Sequence, residues 1–253
     1  MKIALGLEYC GSRYSGWQRQ SHASSIQQHV EEALSKVADQ NVTILCAGRT
    51  DAGVHALHQV IHFETSAERE VHAWVLGGNV NLPPDISILW AKNVSDDFHA
   101  RFSATGRTYR YVILNRQARP GIMSRKITWE YRPLDESRMQ QAADCLKGEH
   151  DFSSYRAVDC QANSPVRTIR RLDITRRAET ITIEIEANAF LHHMVRNIAG
   201  VLMAIGAGKA PVKWAQEVLA AKDRTLGGVT APPDGLYLID VSYPENFQIP
   251  RPY

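Results

Sequence analysis

Apolar residues recur along this chain at two spacings, every second position in some runs and every third or fourth in others, and the two periods predict its elements. Lys2–Tyr9 and 42–47 read as strands, and between them Ile26, Val30, Ala33, Leu34 and Val37 mark one face of a helix. Ser25 with Gln28 three residues on is a capping-box start, in which each side chain bonds the other's unpaired backbone N–H. A strand at 57–63, a helix at 67–76 carrying Val71, Trp74 and Val75, and a strand at 86–91 follow, giving the order βαββαβ. The later half repeats it. It has a strand at 108–114, a helix at 135–147 stopped by Gly148, and strands at 167–175 and 180–187. A helix at 189–207, a shorter one with Pro211 in its first turn and a strand at 236–241 complete it, with 126–131 as an extra strand. In 180–187, Ile181, Ile183 and Ile185 face one way and Thr180, Thr182, Glu184 and Glu186 the other.

This pattern predicts an α+β protein of two fused ferredoxin-like βαββαβ halves, 1–104 and 105–253, with mainly antiparallel sheets and a cleft between them. A length of 253 residues suits one large domain or two small ones. With 44% hydrophobic and 22% charged residues the composition is that of a globular chain, which excludes wholesale disorder. The longest apolar run, 198–208, is too short for a membrane span, and no signal peptide follows Met1. Four cysteines, at 10, 46, 145 and 160, form no CxxC pair. The expectation is a soluble cytoplasmic protein with reduced thiols and no membrane association.

Net charge is only +2, but it is unevenly spread. Residues 101–132 hold eight basic side chains against Glu130 alone, a local charge of +7. A second cluster, Arg167, Arg170, Arg171, Arg176 and Arg177 against Asp173, adds +4. Such asymmetry points to a polyanionic partner, with a solvated arginine-rich surface as the rival reading.

Three segments combine residues that suit chemistry on a nucleic acid. In 46–56, CAGRTDAGVHA, glycines flank an Arg49-Thr50-Asp51 core, so a large ligand can approach the backbone while Asp51 meets a sugar and Arg49 a phosphate or base. An Asp-x-Gly turn with a surface arginine is the plain alternative. In 98–111, Tyr109 and Tyr111 share one strand face and Arg110 takes the other, a ring for base stacking beside cations such as Arg101 and Arg107. In 188–198, Phe190, Met194 and Ile198 form a buried stripe and Arg196 falls off it. His55, His58 and His62 raise the question of a metal, but in a strand His58 and His62 stand about 13 Å apart, too far for one zinc, so no metal site is expected.

The combination of YCGSRYSGWQRQ, CAGRTDAGVHA, NLPPDI, FHARFSATGRTYRYVI, NAFLHHMVRNIAG and APPDGLYLIDVSY strongly resembles the TruA family of tRNA pseudouridine synthases, in order and over nearly the whole chain. The resemblance implies a homodimer without cofactor or metal that isomerises uridine in the anticodon stem-loop of tRNA, at positions 38, 39 and 40. It implies that Asp51 is the essential carboxylate, that Tyr109 packs on the target base, that Arg196 pairs with Asp51, and that Arg49 takes the space left by the flipped nucleotide. Further tRNA contacts are expected at Arg69, at Phe98, His99, Ala100, Arg101 and Phe102, at Arg107, Arg119 and Arg125, and at Asp159, Cys160, Gln161, Ala162 and Asn163. One departure is Cys10, where the family usually has Asp.

The reaction explains the residue types. The N1–C1′ bond breaks, the uracil turns, and C5 bonds to C1′, so no redox group is required. An anionic group beside the ribose is required, and a carboxylate can either attack C1′ or take the C2′ proton. An aromatic wall holds the detached base while tolerating in-plane rotation. A non-catalytic RNA-binding protein would explain the basic segments but leave the Arg-Thr-Asp loop without a purpose. A nucleosidase would need a second carboxylate that no spacing supplies.

Overall fold

Hydrophobic alternation becomes a mixed α/β chain with largely antiparallel pairing in the computed structural model, which describes residues 1–158 and 160–251. Two compact units form, Met1–Thr105 together with the chain from Tyr237 onward, and Gly106–Leu236.

The first unit runs β1 (Lys2–Tyr9), α1 (Ile26–Ala38), β2 (Leu45–Cys46), β3 (His55–Glu64), α2 (Val71–Asn81) and β4 (Ile86–Val94). Strand β1 lies between β3 and β4, antiparallel to both, so that Leu5 faces Ile61 on one side and Ala91 on the other. Ile3, Leu5, Leu7, Val60, Ile61 and Phe63 are fully or almost fully buried. Each such side chain contributes about 1.5–3 kcal/mol by leaving water. Helix α2 approaches closely because its contacting positions are small. A Cβ on Gly78 would fall 2.3 Å from Ile88 Cδ1, and one on Gly77 3.0 Å from Val37 Cγ2. Gly6 leaves room for the Trp90 indole to cross β1.

The second unit runs β5 (Gly106–Asn115), β6 (Thr128–Glu130), α3 (Glu136–Asp144), β7 (Gly148–Asp151), β8 (Val166–Arg177), β9 (Thr180–Ala187), α4 (Met194–Gly206) and α5 (Trp214–Ala221). Its strands pair antiparallel in the order β5-β9-β8-β7, and β6 lies parallel to β5. Tyr109, Tyr111 and Ile113 stand opposite Ile185, Ile183 and Ile181, one apolar face shared by β5 and β9. The opposite face is charged, with Arg110 bonded to Glu184 and Arg171 3.2 Å from the same carboxylate.

Several expectations need correction. The strand expected at 42–47 is only two residues long, because Ser35 and Glu31 of α1 capture the N–H groups of Val42 and Ile44 before any ladder forms. The second helix starts at Val71 and runs to Asn81, shifted from the expected 67–76. The helix expected from 189 begins at Met194. Asn188 Oδ1 takes the N–H groups of Ala189 and Thr168, and His193 adopts φ +60, so 189–193 is a turn rather than helix. Phe190 therefore lies outside the helical stripe assigned to it. The helix expected to open at Pro211 opens at Trp214. Gly148, expected to end a helix, begins β7, an edge strand absent from the expected elements. Finally, strand β10 (Leu236–Ser242), assigned with 105–253, lies almost wholly in the first unit, where Tyr237 and Leu238 pair parallel with His55 and Ala56.

Candidate active site

In the first unit the 46–56 segment turns between β2 and β3, and Thr50, the middle of its Arg49-Thr50-Asp51 core, points inward. Thr50 is buried, and its hydroxyl lies 2.9 Å from the Tyr9 hydroxyl. Its carbonyl accepts from Trp17 N at 3.0 Å, and Trp17 is itself core. Arg49 before it is exposed and Asp51 after it is half-buried, so one anchored residue presents a cation and a carboxylate from the same short turn. Val54 N closes the turn on the Asp51 carbonyl at 3.1 Å, with Gly53 at φ +80. Gln59 Nε2 holds the Gly48 carbonyl at 2.6 Å.

The segment 10–17 proves to be the floor of this loop. Gly11 packs so closely that a Cβ there would fall 2.0 Å from the Val54 oxygen, and its N–H donates to His55 Nδ1 at 3.0 Å. Gly16 sits at φ +90 with the Thr50 oxygen 2.8 Å from where a Cβ would stand. Cys10 precedes the 3₁₀ turn Gly11–Arg13, its N–H bonded to the Asp85 carbonyl and its Sγ 3.3 Å from Ser12 Oγ. Tyr9, Gly11, Gly16, Trp17, Thr50 and Gln59 were not among the expected site residues. The paired glycines of YCGSRYSGW are the sequence signal, since each marks a place where backbone meets backbone.

In the second unit Tyr109 is buried on β5 and meets Phe190 edge-to-face, with ring centroids 5.1 Å apart. Tyr111, two residues on, is core. Its hydroxyl donates to the Pro232 carbonyl and accepts from Thr128, and burial raises its pKa. Arg107 donates to the Asn188 carbonyl at 3.1 Å. Arg196 is the third residue of α4, half-buried, with Nε donating to the Ala231 carbonyl at 2.8 Å. Ala231 N returns a bond to the Arg196 carbonyl at 3.1 Å. Behind it, Asn197 is buried and makes three side-chain bonds, to the Tyr155 carbonyl, Thr230 and Arg224. Asn197, Thr230 and Arg224 were also unexpected. Asp51 and Arg49 thus belong to the first unit, and Tyr109, Arg107 and Arg196 to the second.

The expected tRNA contacts divide by exposure. Arg101 and Phe102 are exposed and His99 half-buried, whereas Phe98 and Ala100 are fully buried, Phe98 against Tyr243 and Phe247. Arg119 and Arg125 are exposed, Arg125 at φ +60. Arg69 donates to the Val37 and Glu68 carbonyls. Cys160 and Ala162 are half-buried and Gln161 and Asn163 exposed, while Asp159 lies outside the described residues. The basic segments carry less unbalanced charge than their sequence suggests, because Arg110, Arg116, Arg132, Arg170 and Arg176 each pair with a glutamate.

The three β3 histidines accept from three different donors, His55 from Gly11 N, His58 from Trp90 Nε1 and His62 from Ala100 N. Burial pushes the Cys46 thiol up to about 12, against the pull of Arg49 and Arg101, and burial also raises Cys145. Both are thiols at neutral pH. Among the described residues no helix is long and apolar enough to cross a membrane.

A family model described as tRNA pseudouridine synthase matches residues 7–103 and 142–244. The tRNA pseudouridine synthase A of Nitrosococcus oceani is 59% identical over 251 residues, covering 99% of this chain and 97% of that protein. The proteins of the same name from Escherichia fergusonii and Escherichia coli O1:K1 / APEC are 56% and 55% identical, each covering 99% of this chain and 93% of its relative.

Proposed function

The chain belongs to the tRNA pseudouridine synthase family and is an isomerase of tRNA uridine, and on that premise we propose that its target lies in the anticodon stem-loop, at positions 38, 39 and 40. The observation that carries the reading is the Arg49-Thr50-Asp51 turn. Thr50 is fixed inward by Tyr9 and Trp17, so Asp51 is held rigidly beside an exposed cation rather than carried on a loose surface turn.

In this reading Asp51 supplies an oxygen to the ribose of the target. It bonds to C1′ as the electron pair of the N1–C1′ bond leaves with the uracil, or it takes the C2′ proton. Either course uses a carboxylate oxygen, and in this reading the Arg196 guanidinium pairs with that carboxylate. The released uracil turns against the Tyr109 ring, and C5 bonds to C1′ as the Asp51–C1′ bond breaks; in the second course the N1–C1′ pair leaves as a C1′=C2′ bond forms, and the proton on Asp51 returns to C2′ as C5 bonds to C1′. In either course the C5 proton is lost and N1 gains one, so the formula is unchanged. Arg49 fills the space the target leaves in the stem, offsetting an unstacking cost of a few kcal/mol.

The tRNA body is gripped through His99, Arg101 and Phe102 of the segment from Phe98 to Phe102, through Arg69, Arg107, Arg119 and Arg125, and through 159–163. Surface ion pairs such as Arg110–Glu184 hold weakly enough to exchange for phosphate. The enzyme works as a cytoplasmic homodimer without cofactor or metal. Met1–Thr105 with the chain from Tyr237 onward, and Gly106–Leu236, are two fused ferredoxin-like halves, a reading supported by the order β-α-β-β-α-β in the first unit.

The test is incubation of purified protein with unmodified tRNA and mapping of pseudouridine by position. Pseudouridine confined to 38, 39 and 40 is expected. Modification elsewhere contradicts the assigned target, and free uracil would identify a nucleosidase.

A further inference from the structure

We propose that Thr230 is a positioning residue for Arg196, acting through a three-membered clamp with Arg224 and Asn197. The inference rests on the reading of Arg196 as the cation that serves Asp51.

An arginine has a long side chain with several rotatable bonds, and a role in fixing charge next to a reacting carboxylate demands one orientation. A backbone carbonyl contributes to that orientation here. Arg196 Nε donates to the Ala231 oxygen at 2.8 Å, and because Nε lies in the guanidinium plane, that bond fixes the plane's direction. The position of Ala231 therefore bears on where the guanidinium points.

Ala231 ends a segment without regular helix or strand, and two devices hold that segment on α4. The first is steric. Gly200 lets the Val229 carbonyl approach to where a Cβ would stand 1.9 Å from it, and Gly228 packs so close that a Cβ there would stand 3.2 to 3.4 Å from Val201 and Gly200. The second is polar. Arg224 Nη2 donates to both Asn197 Oδ1 and Thr230 Oγ1, at 3.1 and 3.0 Å, and the Thr230 hydroxyl donates to Asn197 Oδ1 at 2.7 Å. Asn197 is buried, and its Nδ2 donates to the Tyr155 carbonyl at 2.8 Å. Both of its polar atoms are thus committed, which forces one amide orientation. Thr230 is the neighbour of Ala231 and Asn197 the neighbour of Arg196, so the clamp spans the same two chain segments as the Arg196–Ala231 bonds. A closed triangle of bonds around one buried amide is stiffer than its members taken singly.

Thr230→Val keeps shape and removes the hydroxyl, and Thr230→Ser keeps the hydroxyl. With the full-length protein and unmodified tRNA, Thr230→Val should lower the single-turnover rate at saturation by about 10-fold or more and leave the tRNA Kd within about 3-fold, while Thr230→Ser returns the rate to within about 3-fold of the parent. Combined with Arg196→Lys, which has no Nε, Thr230→Val should cost less than about 2-fold further, because the link it supports is already gone. A parental rate in Thr230→Val, a loss that Thr230→Ser does not restore, or an undiminished further loss in the Arg196→Lys background overturns the inference. If Thr230→Val does not fold, Arg224→Lys serves instead. Its ammonium lacks the planar fork, so the same rate-specific loss is expected, and a parental rate overturns the inference. Parental turnover in Arg196→Lys alone would instead remove the underlying reading of Arg196.

Discussion

The hydroxyl of Tyr9, at the end of β1, lies 2.9 Å from Oγ1 of Thr50 in a buried contact one residue before Asp51. This bond ties the proposed catalytic carboxylate to the central strand of the first unit. Tyr9→Phe removes the oxygen and leaves the Thr50 hydroxyl buried without it. The expected cost is about 1 kcal/mol of stability in urea unfolding. Turnover should fall several-fold with tRNA affinity unchanged, and unchanged turnover would show that the bond supports folding alone.

Gly16 carries a heavier constraint. At φ +90, with the Thr50 oxygen 2.8 Å from the place of a Cβ, alanine meets both an unfavourable backbone conformation and a clash. Gly16→Ala should destabilise the protein by more than about 1 kcal/mol. Activity at temperatures well below unfolding should also drop, since the only relief is movement of residues 50–52. A variant as stable as the parent would contradict this packing.

Acid sensitivity is expected at the other end of β3. His62 accepts from Ala100 N, and burial, helped by the nearby His99 and Lys2, lowers its pKa from 6.5 to about 4. Between those values the unfolded chain binds a proton that the folded chain refuses. The stability from this site is therefore complete above about pH 6.5 and declines as pH falls toward 4, by up to roughly 3 kcal/mol. His62→Asn, which can still accept from Ala100, should flatten the pH dependence of urea unfolding over this window. An equal slope in parent and variant would place the acid sensitivity elsewhere.

Most strands were legible because alternation is a local signal. β1 and β9 fall where the apolar periods put them. Ser25 Oγ accepts from Gln28 N at the start of α1, although the Gln28 side chain bonds Glu32 rather than closing the expected box. Misplaced elements were decided by side-chain-to-backbone bonds and backbone turns that apolar periodicity does not encode. Glu31 and Ser35 stop β2 from extending, and the αL turn at His193, next to Asn188's two backbone bonds, delays α4. For the candidate site, Arg49, Asp51, Tyr109 and Arg196 came from motif and resemblance. Their supports did not, because Tyr9, Thr50, Asn197 and Thr230 are unremarkable singly and gain meaning only from the partner each meets in the fold.

Arg49 is exposed next to the buried Thr50, and the proposed reading has it enter the substrate rather than hold the loop. Arg49→Ala should therefore reduce the rate at saturating tRNA by about 100-fold, as support for the flipped base is lost, with Kd within about 5-fold. Weak binding combined with normal turnover at saturation would make Arg49 only a phosphate contact.

Asp51→Asn tests the central claim most directly, because it keeps the shape of the side chain and removes only the charge and the reactive oxygen. The measurement is pseudouridine formed in unmodified tRNA by the purified variant at saturating enzyme, with tRNA binding and thermal unfolding followed in parallel. The variant should fold and bind tRNA as the parent does and form no detectable pseudouridine. A rate within about tenfold of the parent, a barrier change of only about 1.4 kcal/mol, would contradict the assignment of Asp51 as the catalytic carboxylate.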